Sequence, residues 1–137
     1  MTMQVEFVSP ENILYSGMGN QVVARTRGGG EIAFLTGHEP FIGSLVPCEV
    51  RVTEENGSVR RFAVRGGFVS VTGVKVTVLS DAAVAAEDID VATVKAELNE
   101  AMSAERAEPE NPELKEARMW AEARLAATGQ AFDSVAH

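Results

Sequence analysis

Four places in the chain hold residue types that could do chemistry. The first is a corner, Thr36-Gly-His-Glu-Pro40, between the apolar runs Ile32–Leu35 and Phe41–Ile42. Gly37 tolerates positive φ and Pro40 fixes its own, so the corner holds out His38 and Glu39 between two buried ends. A histidine needs a nucleophile, an orienting acid or further ligands to act, and no serine or cysteine nucleophile motif lies nearby. The second is Gly28-Gly29-Gly30, which could cradle phosphate. It lacks the Lys-Ser/Thr that completes a P-loop and opens no helix, so it reads as a hairpin loop. The third is Cys48, the single cysteine, which has no basic or histidine neighbour in sequence to activate it and reads as a structural thiol. The fourth is Trp120 beside a run of alanines, which fits packing, or a partner contact. No paired acid and base, nucleophile or metal cluster emerges, and a small enzyme is the weakest of the functional classes.

The elements that position these residues change character near residue 86. From Met3 to Leu79 apolar and polar residues alternate, as in Val5/Phe7, Val50/Val52, Phe62/Val64 and Val74/Val76/Val78. Period two with β-branched residues predicts short strands with one buried face. Asn56-Gly57 between two such runs predicts a hairpin in which both residues can take positive φ. Gly66-Gly67 predicts a corner between two further strands. Many short strands at close spacing predict an antiparallel β-sandwich or flattened barrel over residues 1–86.

Residues 87–137 read as an antiparallel two-helix hairpin, making the chain α+β. Asp88 or Asp90 can cap a first helix from about Val91, with Val91, Val94, Leu98, Ala101 and Met102 on one stripe. Pro109 breaks it, and Asn111-Pro112 starts a second helix that runs to about Ala127 before Gly129. The last eight residues are expected to fray. Alanines 117, 121, 123, 126 and 127 give the second helix a thin side that buries little area, so the hairpin is expected to be weakly held.

Charge follows the same division. Residues 1–86 carry seven Lys/Arg against eight Asp/Glu, while residues 87–137 carry five against twelve; the chain's net charge is −8. Such acidity disfavours nucleic acid and anionic lipid, both of which select basic patches. Any membrane association is expected to pass through a protein partner. No apolar run approaches the ~18 residues needed to span a bilayer, and the N-terminus lacks a signal-like core, so a cytosolic location is expected.

Several ordered segments carry a resemblance. Gly30-Glu-Ile-Ala-Phe-Leu-Thr-Gly-His-Glu-Pro40 and Phe62-Ala-Val-Arg-Gly-Gly-Phe-Val-Ser-Val71 resemble two segments of the ε subunit of the bacterial F-type ATP synthase. Val8–Gly17, Val76–Ala83 and Ala86–Asp90 are similar to the same family in the same order. Thr36 and Ala33 stand where proline and glycine are usual, and Arg25–Gly29 replaces a more acidic loop. The resemblance implies a non-catalytic rotor subunit. It would couple the c-ring to the γ subunit, at the cytoplasmic face of the bacterial plasma membrane. Glu31, His38, Glu39 and Pro40 would lie at or near those contacts. It implies a regulatory hairpin that can meet the catalytic β subunits. Many members bind ATP through an Ile/Leu-Asp-x-x-Arg-Ala motif and a second-helix arginine. Here Ile89 and Asp90 match, Thr93-Val94 replaces Arg-Ala, Arg124 matches and Arg118 lies nearby. A lost arginine–phosphate contact removes ~1.5–3 kcal/mol, so weak ATP binding or none is expected, and no resident cofactor. The hairpin's negative charge likewise implies weak or differently built inhibition of ATP hydrolysis. A β-sandwich adaptor unrelated to ATP synthesis is the competing reading.

Overall fold

The computed structural model describes residues 2–129; the expected fraying of the last eight residues lies outside them. The strands are β1 (Met3–Val8), β2 (Ile13–Thr26), β3 (Gly30–Leu35), β4 (Phe41–Leu45), β5 (Cys48–Glu54), β6 (Val59–Val64), β7 (Gly67–Val71), β8 (Lys75–Leu79) and β9 (Ala83–Ala85). A 3₁₀ turn, Ala86–Asp88, leads to helices α1 (Val91–Ala107) and α2 (Pro112–Ala127). β2 is long enough to serve two sheets. Its first half pairs β1, and its second half pairs β3 and β5. One sheet runs β3-β2-β5-β6-β9, the other β2-β1-β8-β7-β4, and Thr26 of β2 meets Leu45 of β4 to close the circuit. The architecture is the α+β sandwich with a helical hairpin that the alternation and helical stripes predict.

Three details differ from the sequence-based expectation. β1 pairs β8 in parallel, although every other pairing is antiparallel. Local alternation carries no information on strand direction. The strand β9 forms from Ala83-Val84-Ala85, where the sequence only signals a break in pattern. At the Asn56-Gly57 hairpin only Gly57 takes positive φ, at 89°. Its N–H donates to the Glu54 carbonyl at 2.9 Å, and Asn56 Oδ1 accepts from the Ser58 N–H at 2.9 Å. The asparagine thus acts through its side chain and not through left-handed backbone.

The core lies between the sheets: Phe7, Phe34, Leu45, Val50, Val52, Val64, Val69 and Val76 are all fully shielded. Phe7, Tyr15 and Phe62 stack within 4.5–5.7 Å of one another. The β6–β7 corner requires glycine. Gly67 has φ 114°, and a Cβ there would fall 1.9 Å from the Leu79 carbonyl oxygen.

α1 begins at Asp90, whose side chain accepts from Ala92 N–H at 3.2 Å and Thr93 Oγ at 2.8 Å. α2 begins at Asn111, which accepts from Glu113 N–H, with Pro112 at the first helical position. The two pack on Val94, Leu98, Ala121 and Leu125. α2 then lies on the outer side of β5 and β6, with Ala123 and Ala127 against Ala63. This explains why Phe62, Ala63 and Val64 are all buried despite the alternation: the outer two fill the sandwich and the middle one faces the helix.

Candidate functional site

The two outer faces of the sandwich differ in what covers them. The outer side of β2, β3, β5 and β6 is charged and lies under or beside α2. There Glu31 meets Arg51 at 3.6 Å and Arg25 at 4.0 Å, while Glu49 meets Arg51 at 3.1 Å and Arg61 at 2.7 Å. Met119 and Glu122 of α2 close over Arg25, Glu31, Cys48 and Glu49. Cys48 is 6% exposed; burial pushes its thiol pKa up, and its Sγ donates to the Arg25 carbonyl at 3.8 Å. It is the inert structural thiol that its sequence context implies.

The outer side of β1, β4, β7 and β8 is mixed: Gln4, Glu6, Ser70, Lys75 and Thr77 occupy its middle, an apolar row crosses one end, and among the described residues no helix packs on it beyond scattered contacts. Register places Ser44, Phe68, Leu79, Val8 and Ile13 in one row across five strands. Phe68 and Leu79 are direct cross-strand partners, yet remain 53% and 45% exposed. Ile42, one rung along on β4, is 76% exposed and Ile13 is 64% exposed. Exposed apolar rows of this kind have the chemistry that protein contacts use. The sequence holds a signal for it: Phe68 and Leu79 occupy polar-phase positions of their strands. Only register shows that they meet.

The residues carried over from the resemblance do not form one cluster. Glu31 sits at the start of β3, in the ion-pair network beside α2. His38, Glu39 and Pro40 lie past the other end of that strand; Glu31 to Leu35 alone spans about 13 Å. His38 Nδ1 is 2.7 Å from the Glu39 carbonyl oxygen, and its ring packs edge-on against Phe34 and Phe41 at 5.1 and 6.3 Å. The corner is thereby pinned by aromatic contact, with no acid or nucleophile facing the imidazole among these contacts.

The three nucleotide candidates are also occupied. Asp90 is the α1 cap, and its hydrogen bonds from Thr93 and Ala92 hold its carboxyl below the usual range. Arg118 is forked between Glu105 of α1 and Glu122, whose carboxylates raise its pKa further. Arg124 reaches Glu97 of α1 at 2.5 Å and lies 4.9 Å over the Trp120 ring. Trp120 itself packs with Ile89 on Ala63, Ala123 and Ala127, so it takes the packing role. No group of three His, Cys, Asp or Glu side chains is placed to hold a metal among the described residues. No helix among them is long and apolar enough to cross a membrane.

Comparison with known proteins accords with this geometry. Residues 2–86 match the family model for the β-sandwich domain of the ATP synthase delta/epsilon chain. The chain is 43% identical over 113 residues to the ATP synthase epsilon chain of Corynebacterium urealyticum, covering 80% of this chain and 89% of that one. It is 46% identical over 99 residues to the Rhodococcus jostii epsilon chain, covering 72% and 80%. The fold superimposes on a chain of the Euglena gracilis mitochondrial ATP synthase (OSCP/F1/c-ring) with a TM-score of 0.72, at 23% identity over 99% of this chain and 82% of that one. The matched sandwich and the extent of these identities establish that the chain belongs to the epsilon chains of the F-type ATP synthase.

Proposed function

We propose that the chain is a non-catalytic central-stalk subunit that couples rotation of a membrane c-ring to the γ subunit and the catalytic head. It acts within a membrane-associated complex, which we assign to the cytoplasmic face of the bacterial plasma membrane. The observation that carries the reading is the exposed row Phe68–Leu79–Val8–Ile13 with Ile42 beside it. In this reading it is the surface offered to the γ subunit. A closed sandwich with a dry, close-packed core supplies the stiffness that torque transfer needs. Residues 1–86 form the coupling unit and residues 87–137 the regulatory one. Glu31 at one end of β3 and the His38-Glu39-Pro40 corner at the other would then serve two separate rotor contacts.

The hairpin is the element suited to regulation, because it meets the sandwich through methyl groups and not through large side chains. Nucleotide control of it is disfavoured. Arg118 and Arg124 are already neutralised by Glu105, Glu122 and Glu97. ATP would have to displace those carboxylates before gaining any phosphate contact. The test of the whole reading is co-purification with γ and the head subunits. Phe68→Asp or Leu79→Asp should abolish capture while leaving the fold intact. Undiminished capture by both variants would overturn it.

A further inference from the structure

Residues 1–86 carry seven Lys/Arg, and five of them, Arg25, Arg51, Arg60, Arg61 and Lys75, hold carboxylate partners within 4.0 Å. The remaining two are Arg27 and Arg65, which form no ion pair among the described residues. They are 38 positions apart in sequence, yet line one groove of about 890 Å³. Arg27 follows β2, with its N–H donating to Ser44; Arg65 follows β6, with its N–H donating to Ala82. Both backbones are thus anchored and both side chains are exposed. The floor between them includes Phe68 and Leu79, so the groove is continuous with the apolar row. Asp81 and Glu116 also line it, and neither pairs with either arginine.

We propose that this groove seats a segment of the stalk partner that carries a carboxylate beside an apolar side chain. The proposal rests on the assignment of the apolar row to that partner. The apolar tip lies on Phe68 and Leu79 while the carboxylate takes the two arginines. Among the described residues Arg27 and Arg65 hold no ion-pair partner although Asp81 and Glu116 line the same groove, and a single protein carboxylate is the complement of such uncommitted cations. A dianionic phosphate, free or on a lipid, is disfavoured against one carboxylate because its larger negative charge is repelled more strongly by Asp81 and Glu116. The sequence flags one half of the device, since Arg25–Gly29 stands where an acidic loop is usual; the fold supplies Arg65.

The experiment measures binding of the full chain to the purified γ subunit with its head subunits, at low and high salt. Arg27→Glu/Arg65→Glu should lose roughly tenfold or more in affinity and flatten the salt dependence. Arg27→Lys/Arg65→Lys should keep most of both. Unchanged binding by the Glu variant, with Phe68→Asp still defective, overturns the groove and leaves the apolar row standing. Normal γ binding with lost binding to solubilised c-ring also overturns the proposal and assigns the groove to the ring. If neither the Glu variant nor Phe68→Asp binds less well, the assignment of the row fails as well.

Discussion

Replacing Ala63 by leucine should lift the hairpin without unfolding the sandwich. Ala63 is fully shielded and lies between the outer side of β6 and the methyls of Ala123 and Ala127. At about 0.8 kcal/mol per buried carbon, those three methyls hold the helix by roughly 2.5 kcal/mol, with Ile89 and Trp120 adding to this. Three added carbons in a filled site cost about 1–3 kcal/mol, which is of the same order. Phe62 and Val64 on the inner side of β6 are untouched, so the penalty falls on the interface alone. Two thiols report the outcome. Cys48, the chain's one cysteine, lies in the sandwich core and reports global unfolding, while Ala123→Cys, at a site 5% exposed in the seam against Ala63, is added to both proteins as the reporter of α2. Labelling at position 123 by a small thiol reagent measures the fraction of time that α2 is away. A shift of 1–3 kcal/mol should speed labelling about 5- to 150-fold. Near-UV circular dichroism and the denaturant midpoint of the sandwich should change little. Added ATP should slow labelling in neither protein, because Arg118 and Arg124 already hold carboxylates. Labelling that stays at the native rate would refute the weak-docking argument. So would labelling that rises only in step with global unfolding.

Two further outcomes follow from single groups. Thr36 Oγ1 is shut off from solvent without a hydrogen-bond partner among the described residues, so Thr36→Val keeps the branched shape and should add about 1 kcal/mol, or roughly 3–6 °C in Tm by calorimetry. Tyr15 is pushed up to about 12, first by burial and then by its 2.7 Å hydrogen bond to Glu54, against 10.0 unfolded. Unfolded chain therefore releases this proton first, so the contribution is complete below about pH 10 and lost as pH rises toward 12. Tyr15→Phe should make urea stability fall less steeply across that window.

The alternating runs, the turn residues and the break near residue 86 are local, and they specify strands, helices and the order in which they come. Asn111-Pro112 and Asp90 mark helix starts because a cap needs only its next few backbone N–H groups. Family membership was legible for a similar reason: the Gly37 and Gly66-Gly67 corners must keep their residue types wherever the chain turns so sharply. The rest depended on residues distant in sequence. Phe68 and Leu79 become a surface only when β7 meets β8, and Arg27 and Arg65 share a groove only because two unrelated corners converge. Arg118 and Arg124 look free in sequence; it is the antiparallel return of α2 along α1 that gives them Glu105 and Glu97. Which segments bury a face and where the backbone bends are written in residue type and spacing, and so are legible along the chain. Which outer faces were covered and which charges were neutralised was decided only by tertiary structure, because contact between distant segments has no local signature.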